Sequence, residues 1–144
     1  MTATDTLVQP VVPTEAEILA MPDEEYMNAQ QLEFFRHMLL TMREQMLKNG
    51  AATIAHMQVT EATPDEADRA SQEEERVLEQ RIRDRERKQL HKIDGALDRI
   101  VNNTYGYCER SGEPIGLRRL IARPTATLSI EEQEKHEREE RLFR

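Results

Sequence analysis

Residues 63–100 read TPDEADRASQEEERVLEQRIRDRERKQLHKIDGALDRI, and this stretch decides the fold. Thr63, Pro64, Asp65 and Glu66 form a capping box. The Thr hydroxyl accepts from the third residue's N–H, the Glu reaches back, and proline takes the first helical position, where no N–H is needed. No glycine then interrupts the chain until Gly95. Leu90, Ile93, Leu97 and Ile100 recur at steps of 3, 4 and 3, the rhythm of a helix packed along another helix. The spacing predicts a helix running to Asn102, with Leu78 and Ile82 adding a weaker seam further from its end.

Towards the N-terminus, Asn28-Ala29-Gln30-Gln31 caps a second long stretch, in which Leu32, Phe35, Leu39, Met42 and Met46 follow at steps of 3, 4, 3 and 4. The rhythm loosens through Gly50 and resumes at Ile54 and Met57, so the far half should pack less tightly. A helix of roughly 33 residues is about 50 Å long. Two such helices joined by a few residues must run antiparallel, so residues 32–102 read as a coiled-coil hairpin with its tip at 59–69 and the better seams together at its base. Further out, Thr14-Glu15-Ala16-Glu17 caps a short helix stopped by Pro22, and residues 13–31 belong to the base. Residues 1–12 show no period and read as disordered. Residues 103–128 are dense in turn formers and read as a small knob, and Ser129-Ile130-Glu131-Glu132 caps a terminal helix over 129–144. The expected fold is mostly α: a long antiparallel hairpin on a small globular part made of an N-terminal helix, the knob and a C-terminal helix.

Composition agrees with that shape. Of 144 residues 33% are charged, against roughly 25% in ordinary globular domains. Only 38% are apolar and none is Trp, too little for a thick core but enough for narrow stripes shared by two helices. No run approaches the roughly 18 apolar residues of a membrane span, and the N-terminus lacks the basic start and apolar stretch of a signal peptide. Cytoplasmic residence and no membrane contact are expected, and the single Cys108 agrees with a reducing compartment. A net charge of −8 argues against gripping DNA over a broad face, so a protein partner is expected.

That charge is unevenly spread. Residues 61–80 sum to −6 and residues 81–92 to +4 within one stretch that contains no glycine. Local pairs such as Glu79 with Arg83 would explain a solvated surface, but they do not require acid and base to segregate. The helix has an acidic end and a basic shaft.

Beyond the hairpin, Cys108-x-x-Ser111, a gap of 17 residues and Ser129-x-x-Glu132 keep the spacing of a four-ligand zinc knob, with three of its positions occupied by something other than Cys. Together with Ala67-Asp68-Arg69-Ala70, Arg83-Asp84-Arg85-Glu86-Arg87-Lys88, Tyr105-Gly106-Tyr107-Cys108 and Arg118-Arg119-Leu120-Ile121-Ala122-Arg123-Pro124-Thr125-Ala126, this chain resembles the DksA/TraR family from Met27 to its C-terminus. The resemblance implies a bacterial regulator that binds RNA polymerase rather than DNA. Such a protein works as a monomer, inserting its hairpin into the secondary channel against the beta-prime subunit and modulating initiation, at ribosomal RNA promoters among others, together with guanosine tetraphosphate.

The family pattern also implies roles. Asp65, Asp68 and Ala70 match the tip positions that act near the polymerase active centre. Arg85 and Arg119 match polymerase rim contacts, and Lys92 and Arg123 match contacts to guanosine tetraphosphate, for which charge-assisted donors suit phosphates. Asp65 alone could serve only the helix dipole, but Asp68 and Ala70 have no capping need. Gln133 stands where the family has a further basic residue and Gln89 where it has a leucine, changes that weaken the expected nucleotide response.

The zinc pattern departs most. Structural zinc takes four ligands, commonly Cys and His, and a serine hydroxyl stays protonated near neutral pH. Cys108, Ser111, Ser129 and Glu132 therefore read as a degenerate site in a zinc-independent member, with a reduced Cys108–Glu132–His136 site as the alternative. No metal and no catalytic residue is expected. Two other functions fit the same residues: a transcript-cleavage factor whose tip acids hold a catalytic magnesium, and a structural coiled-coil adaptor. His37, His56 and His91 read as surface or seam residues, and the methionines of the hairpin as adaptable packing.

Overall fold

The computed structural model describes the backbone of residues 12–60 and 66–143, with side chains except at 53, 54, 56–60 and 66–68. Among these residues five α-helices form: α1 Glu15–Leu19, α2 Ala29–Thr60, α3 Glu66–Val101, α4 Leu117–Ala122 and α5 Ile130–Leu142. The mostly helical hairpin architecture is the one expected. Thr63, Pro64 and Asp65 of the expected capping box, and residues 1–11 of the segment 1–12 read as disordered, fall outside the described residues.

Each start is made by the chemistry of its cap. The Thr14 hydroxyl accepts from the Glu17 N–H at 3.2 Å, and the Asn28 side chain accepts from the Gln31 N–H at 2.8 Å. The Gln31 side-chain oxygen accepts in turn from the Met27 N–H at 2.7 Å, with Met27 held at φ +56°. Pro22 does not simply stop α1; it leads into one 3₁₀ turn, Asp23–Glu25, that carries the chain across the base. Within the turn-rich knob, Leu117–Ala122 forms a short helix.

The core sits where the hairpin meets the knob. Phe35 and Leu39 of α2, Ile93 and Ala96 of α3, Ile18 of α1 and Leu120 of α4 are fully buried, and Met42, Met46, Leu97 and Ile100 pack around them. The antiparallel register is pinned by Arg43 Nε donating to Asp94 Oδ1 at 2.9 Å. Gly50 lies against the Glu86 carboxylate. Beside it the packing leaves an open groove of about 340 Å³ lined by Met46, Leu47, Ala51 and Leu90.

One expectation fails further out. Leu78 and Ile82 are 57% and 40% exposed and do not form the distal seam. Continuing the 4, 3 alternation of Leu90 and Ile93 backwards reaches Glu86, Arg83, Glu79, Arg76 and Gln72, and these are the half-buried residues. Leu78 and Ile82 lie one position out of phase with that line. The base seam sets the phase of the whole helix, and two distal apolar residues cannot rotate it.

The knob is locked onto the hairpin by tyrosines. The Tyr105 ring is buried with its centroid 5.5 Å from that of Phe35, and its hydroxyl donates to Pro124 O at 2.7 Å. Tyr26 donates to Gly106 O at 2.6 Å and accepts from Gly116 N at 2.9 Å, tying the segment before α2 to both ends of the knob's turn. Gly106 sits at φ +91°, and a Cβ there would come within 2.8 Å of the Met27 side chain, so only glycine fits.

Candidate functional site

The expected functional residues fall in three places along the molecule. At the tip, Asp65 lies outside the described residues, Asp68 belongs to the first turn of α3, and Ala70 is exposed two residues later. The acidic excess is thus carried at the free end of two helices of 32 and 36 residues. At 1.5 Å per residue α2 is about 48 Å long, and the part beyond its buried Leu39 extends roughly 30 Å past the core.

On the shaft, Arg85 and Lys92 are both exposed and stand two helical turns apart on one flank of α3, with Gln89 between them. His37 and His91 are exposed, and the side chain of His56 is not described. On the knob, Arg119 and Arg123 occupy successive turns, the Arg123 N–H donating to Arg119 O at 2.7 Å. Arg119 is half-buried and spends its Nε on Leu128 O at 2.9 Å, which aims the rest of its guanidinium, while Arg123 is exposed. Gln133, at the place of the missing basic residue, donates its amide to Glu137 Oε1 at 3.1 Å.

The four zinc-spaced positions are engaged in metal-free bonds. Ser129 is buried and its hydroxyl accepts from the Glu132 N–H at 3.3 Å, capping α5. Ser111 is exposed, and its hydroxyl accepts from the Glu113 N–H at 3.3 Å. His136 Nδ1 meets the Arg110 guanidinium at 3.2 Å, while its Nε2 lies 3.1 Å from Glu140 Oε1. Both ring nitrogens face other partners, so the Cys108–Glu132–His136 alternative is not assembled. Among the described residues no three His, Cys, Asp or Glu side chains gather as a metal would need. This donor set does not fit structural zinc.

Cys108 keeps part of the old environment. It is 3% exposed, its N–H donates to Glu113 O at 2.8 Å, and its carbonyl accepts from Gly112 N at 2.9 Å, closing a tight turn. Burial pushes its thiol up, but the Ser111 hydroxyl and the backbone N–H groups of Ser111, Ser129 and Arg110 outweigh it and bring the pKa down to about 6. The donors that would support a set of metal thiolates converge on one sulfur. Sequence reasoning missed the tyrosine latches because their partners are distant along the chain, and it missed the cradle because the donors of neighbouring Arg110 and Ser111 are joined there by that of Ser129, 21 residues after Cys108, only once the turn has formed. The only signal was the density of turn formers around Tyr105 and Gly106.

The class defined by these features is a regulator-type helical hairpin: a long arm with an acidic end and a basic flank, standing on a small knob with the spacing of a four-ligand zinc site and one remaining cysteine. Residues 31–100 match the family model "DnaK suppressor protein DksA, N-terminal domain", and residues 103–138 match "Prokaryotic dksA/traR C4-type zinc finger". The chain belongs to the DksA/TraR family. It is 55% identical over 123 residues to the "RNA polymerase-binding transcription factor DksA" of Caulobacter vibrioides, covering 85% of this chain and 87% of that protein. It is 50% identical over 111 residues to the protein of the same name from Escherichia coli strain K12, covering 76% and 74%. Among solved structures it is similar to transcription factor DksA2 from Pseudomonas aeruginosa, with 47% identity, a TM-score of 0.83, and coverage of 89% of this chain and 99% of that one.

Proposed function

We propose that this protein is a transcription regulator that binds RNA polymerase directly, with the hairpin in the secondary channel and the shaft and knob at its rim on the beta-prime subunit. It acts as a monomer in the bacterial cytoplasm, without touching DNA, and changes the lifetime of initiation complexes together with guanosine tetraphosphate. One observation carries this reading: the early turns of α3, with Glu73, Glu74 and Glu75 exposed, lie towards the free end of a thin two-helix arm, while exposed cations, Arg85 and Lys92 among them, stand on its shaft. Such an arm reaches where the protein's bulk cannot go. Asp65 and Asp68, with Ala70 beside them, would act electrostatically near the active centre without performing chemistry. Arg85 and Arg119 would hold the rim. Lys92 and Arg123 would supply donors to the tetraphosphate, and Gln133 and Gln89 would make that response weaker than where the family pattern has a basic residue and a leucine. The knob holds its shape without zinc, because its hydroxyls cap helices and turns and its latches are tyrosines.

The test is transcription in vitro from a ribosomal RNA promoter, with and without guanosine tetraphosphate, using protein treated with a chelator. The unaltered chain should repress, and more strongly with the nucleotide. Asp68→Asn should abolish repression while leaving polymerase affinity within about twofold, since it removes a charge without removing a shaft contact. Loss of binding in Asp68→Asn would overturn the tip assignment. Unchanged transcription with the unaltered protein bound would overturn the regulatory reading.

A further inference from the structure

The outer face of α5 carries its charges in an order that complements itself when reversed. Glu132, Gln133, His136 and Glu139 are half-buried on the side towards the knob, and the opposite side exposes Glu131, Glu134, Arg138 and Arg141 at steps of 3, 4 and 3. That spacing keeps all four beneath one neighbouring helix over the length of α5. The side chains of Glu131, Glu134 and Arg138 hold no hydrogen bond or ion pair among the described residues, although Glu134 and Arg138 stand one turn apart. Arg141 spends only its Nε, on Glu137 O at 3.4 Å.

The two ends of the helix are apolar and uncovered. Ile130 is 54% exposed on the rim of an open cavity of about 600 Å³ walled by Leu19, Met21, Ile115 and Leu117, and Leu142 is 81% exposed at the far end. At 1.5 Å per residue the two lie about 18 Å apart on one rod, so Leu142 cannot turn back to its own chain's cavity.

Apolar ends and the charges between them restrict what covers this face. A second copy laid parallel sets Glu131 against Glu131 and Arg138 against Arg138. Laid antiparallel about a two-fold axis at the level of His136, it sets Glu131 against Arg141 and Glu134 against Arg138, with Lys135 and Glu137 level on the flanks and Ile130 level with Leu142. Every charged pair is then of opposite sign, and the axis repeats each one. A slip of one residue either way brings Glu134 level with Glu137 or Glu139, so the charges fix the register as well as the direction.

We infer that the outer face of α5 is an interface between two copies of this chain, paired antiparallel, with each Leu142 at the edge of the other copy's cavity beside Ile130. Exposed ion pairs contribute little each, so the dimer is weak and forms only at high protein concentration. It is a state of the free protein, and the chain that engages polymerase under the function proposed above is the monomer.

The experiment is sedimentation equilibrium of the full-length protein from micromolar to near-millimolar concentration, beside thermal unfolding of each variant. The unaltered chain should pass reversibly from monomer to dimer and no further, because a two-fold interface closes on itself. Glu134→Arg sets arginine against Arg138 twice and should weaken the dimer by roughly tenfold or more. Adding Arg138→Glu to that variant restores both pairs in reverse and should return association to within about threefold of the unaltered chain. Leu142→Gln should also weaken the dimer, with unfolding unchanged because its side chain is exposed in the single copy. Lys88→Glu, a charge reversal at an exposed position on the shaft, should leave association as it was. A chain that stays monomeric throughout overturns the inference, as does a dimer that Glu134→Arg leaves intact or that the double variant fails to recover. Growth beyond the dimer would overturn the two-fold arrangement.

Discussion

Cys108 shows how a residue changes meaning once its neighbours are in place. As a lone cysteine it speaks only to redox compartment; folded, it is a buried sulfur beneath converging N–H donors, with its pKa near 6 against 9.0 when unperturbed. Between about pH 6 and 9 the unfolded chain therefore holds more protons at this site than the folded one, so stability rises with pH across that window. The thiolate's contribution is full above pH 9, declines as pH falls, and is gone below pH 6. Scanning calorimetry of Cys108→Ser should show a flatter melting profile over this window than the parent; parallel slopes would mean that the sulfur does not titrate there. Tyr105 moves the other way: burial raises its hydroxyl well above the usual range despite Arg99 nearby, so it stays protonated and keeps its bond to Pro124.

For single elements, α3 is a helix of two qualities. Its last third packs Ile93 and Ala96 into the core, while its first two-thirds turns glutamates and arginines towards α2 and leaves Leu78 and Ile82 outside. A seam of charged residues buries little apolar surface, so the distal arm is held far less firmly than the base. Arg83→Leu places an apolar side chain on that seam and should add up to about 1 kcal/mol of local stability. Slower amide exchange over residues 70–85 would show it, and unchanged exchange there would contradict the seam assignment. The hairpin's existence and its base register were legible in the spacing of Leu90, Ile93, Leu97 and Ile100. Which side of the distal helix faces inward was not, because two apolar residues out of phase look like a seam until the base fixes the rotation.

The whole molecule is a lever mounted on a knob, and the knob must be rigid for the lever to place its tip. Rigidity here comes from Tyr26 bridging Gly106 and Gly116, from Tyr105 seated on Phe35, and from Arg110, whose guanidinium reaches His136 and lies 3.7 Å from Glu139 on α5. None of these uses a metal. A strong chelator should therefore leave the melting temperature of the full chain unchanged, and protein purified without added zinc should carry far less than one equivalent. A fall of several degrees with chelator, or near-stoichiometric zinc, would contradict the metal-free knob.

The sequence by itself determined the helical class, the antiparallel hairpin, the caps at Thr14, Asn28 and Ser129, the separation of acidic tip from basic shaft, and the loss of zinc ligands. Periodicity, capping and charge are properties of neighbours along the chain, within one or two helical turns. Tertiary structure alone decided the rest: the charged distal seam, the exposure of Leu78 and Ile82, the donors gathered on Cys108, and the tyrosine latches that join residues 80 and 90 positions apart. Those depend on which faces meet when the chain closes, and closure is decided by the core at the base.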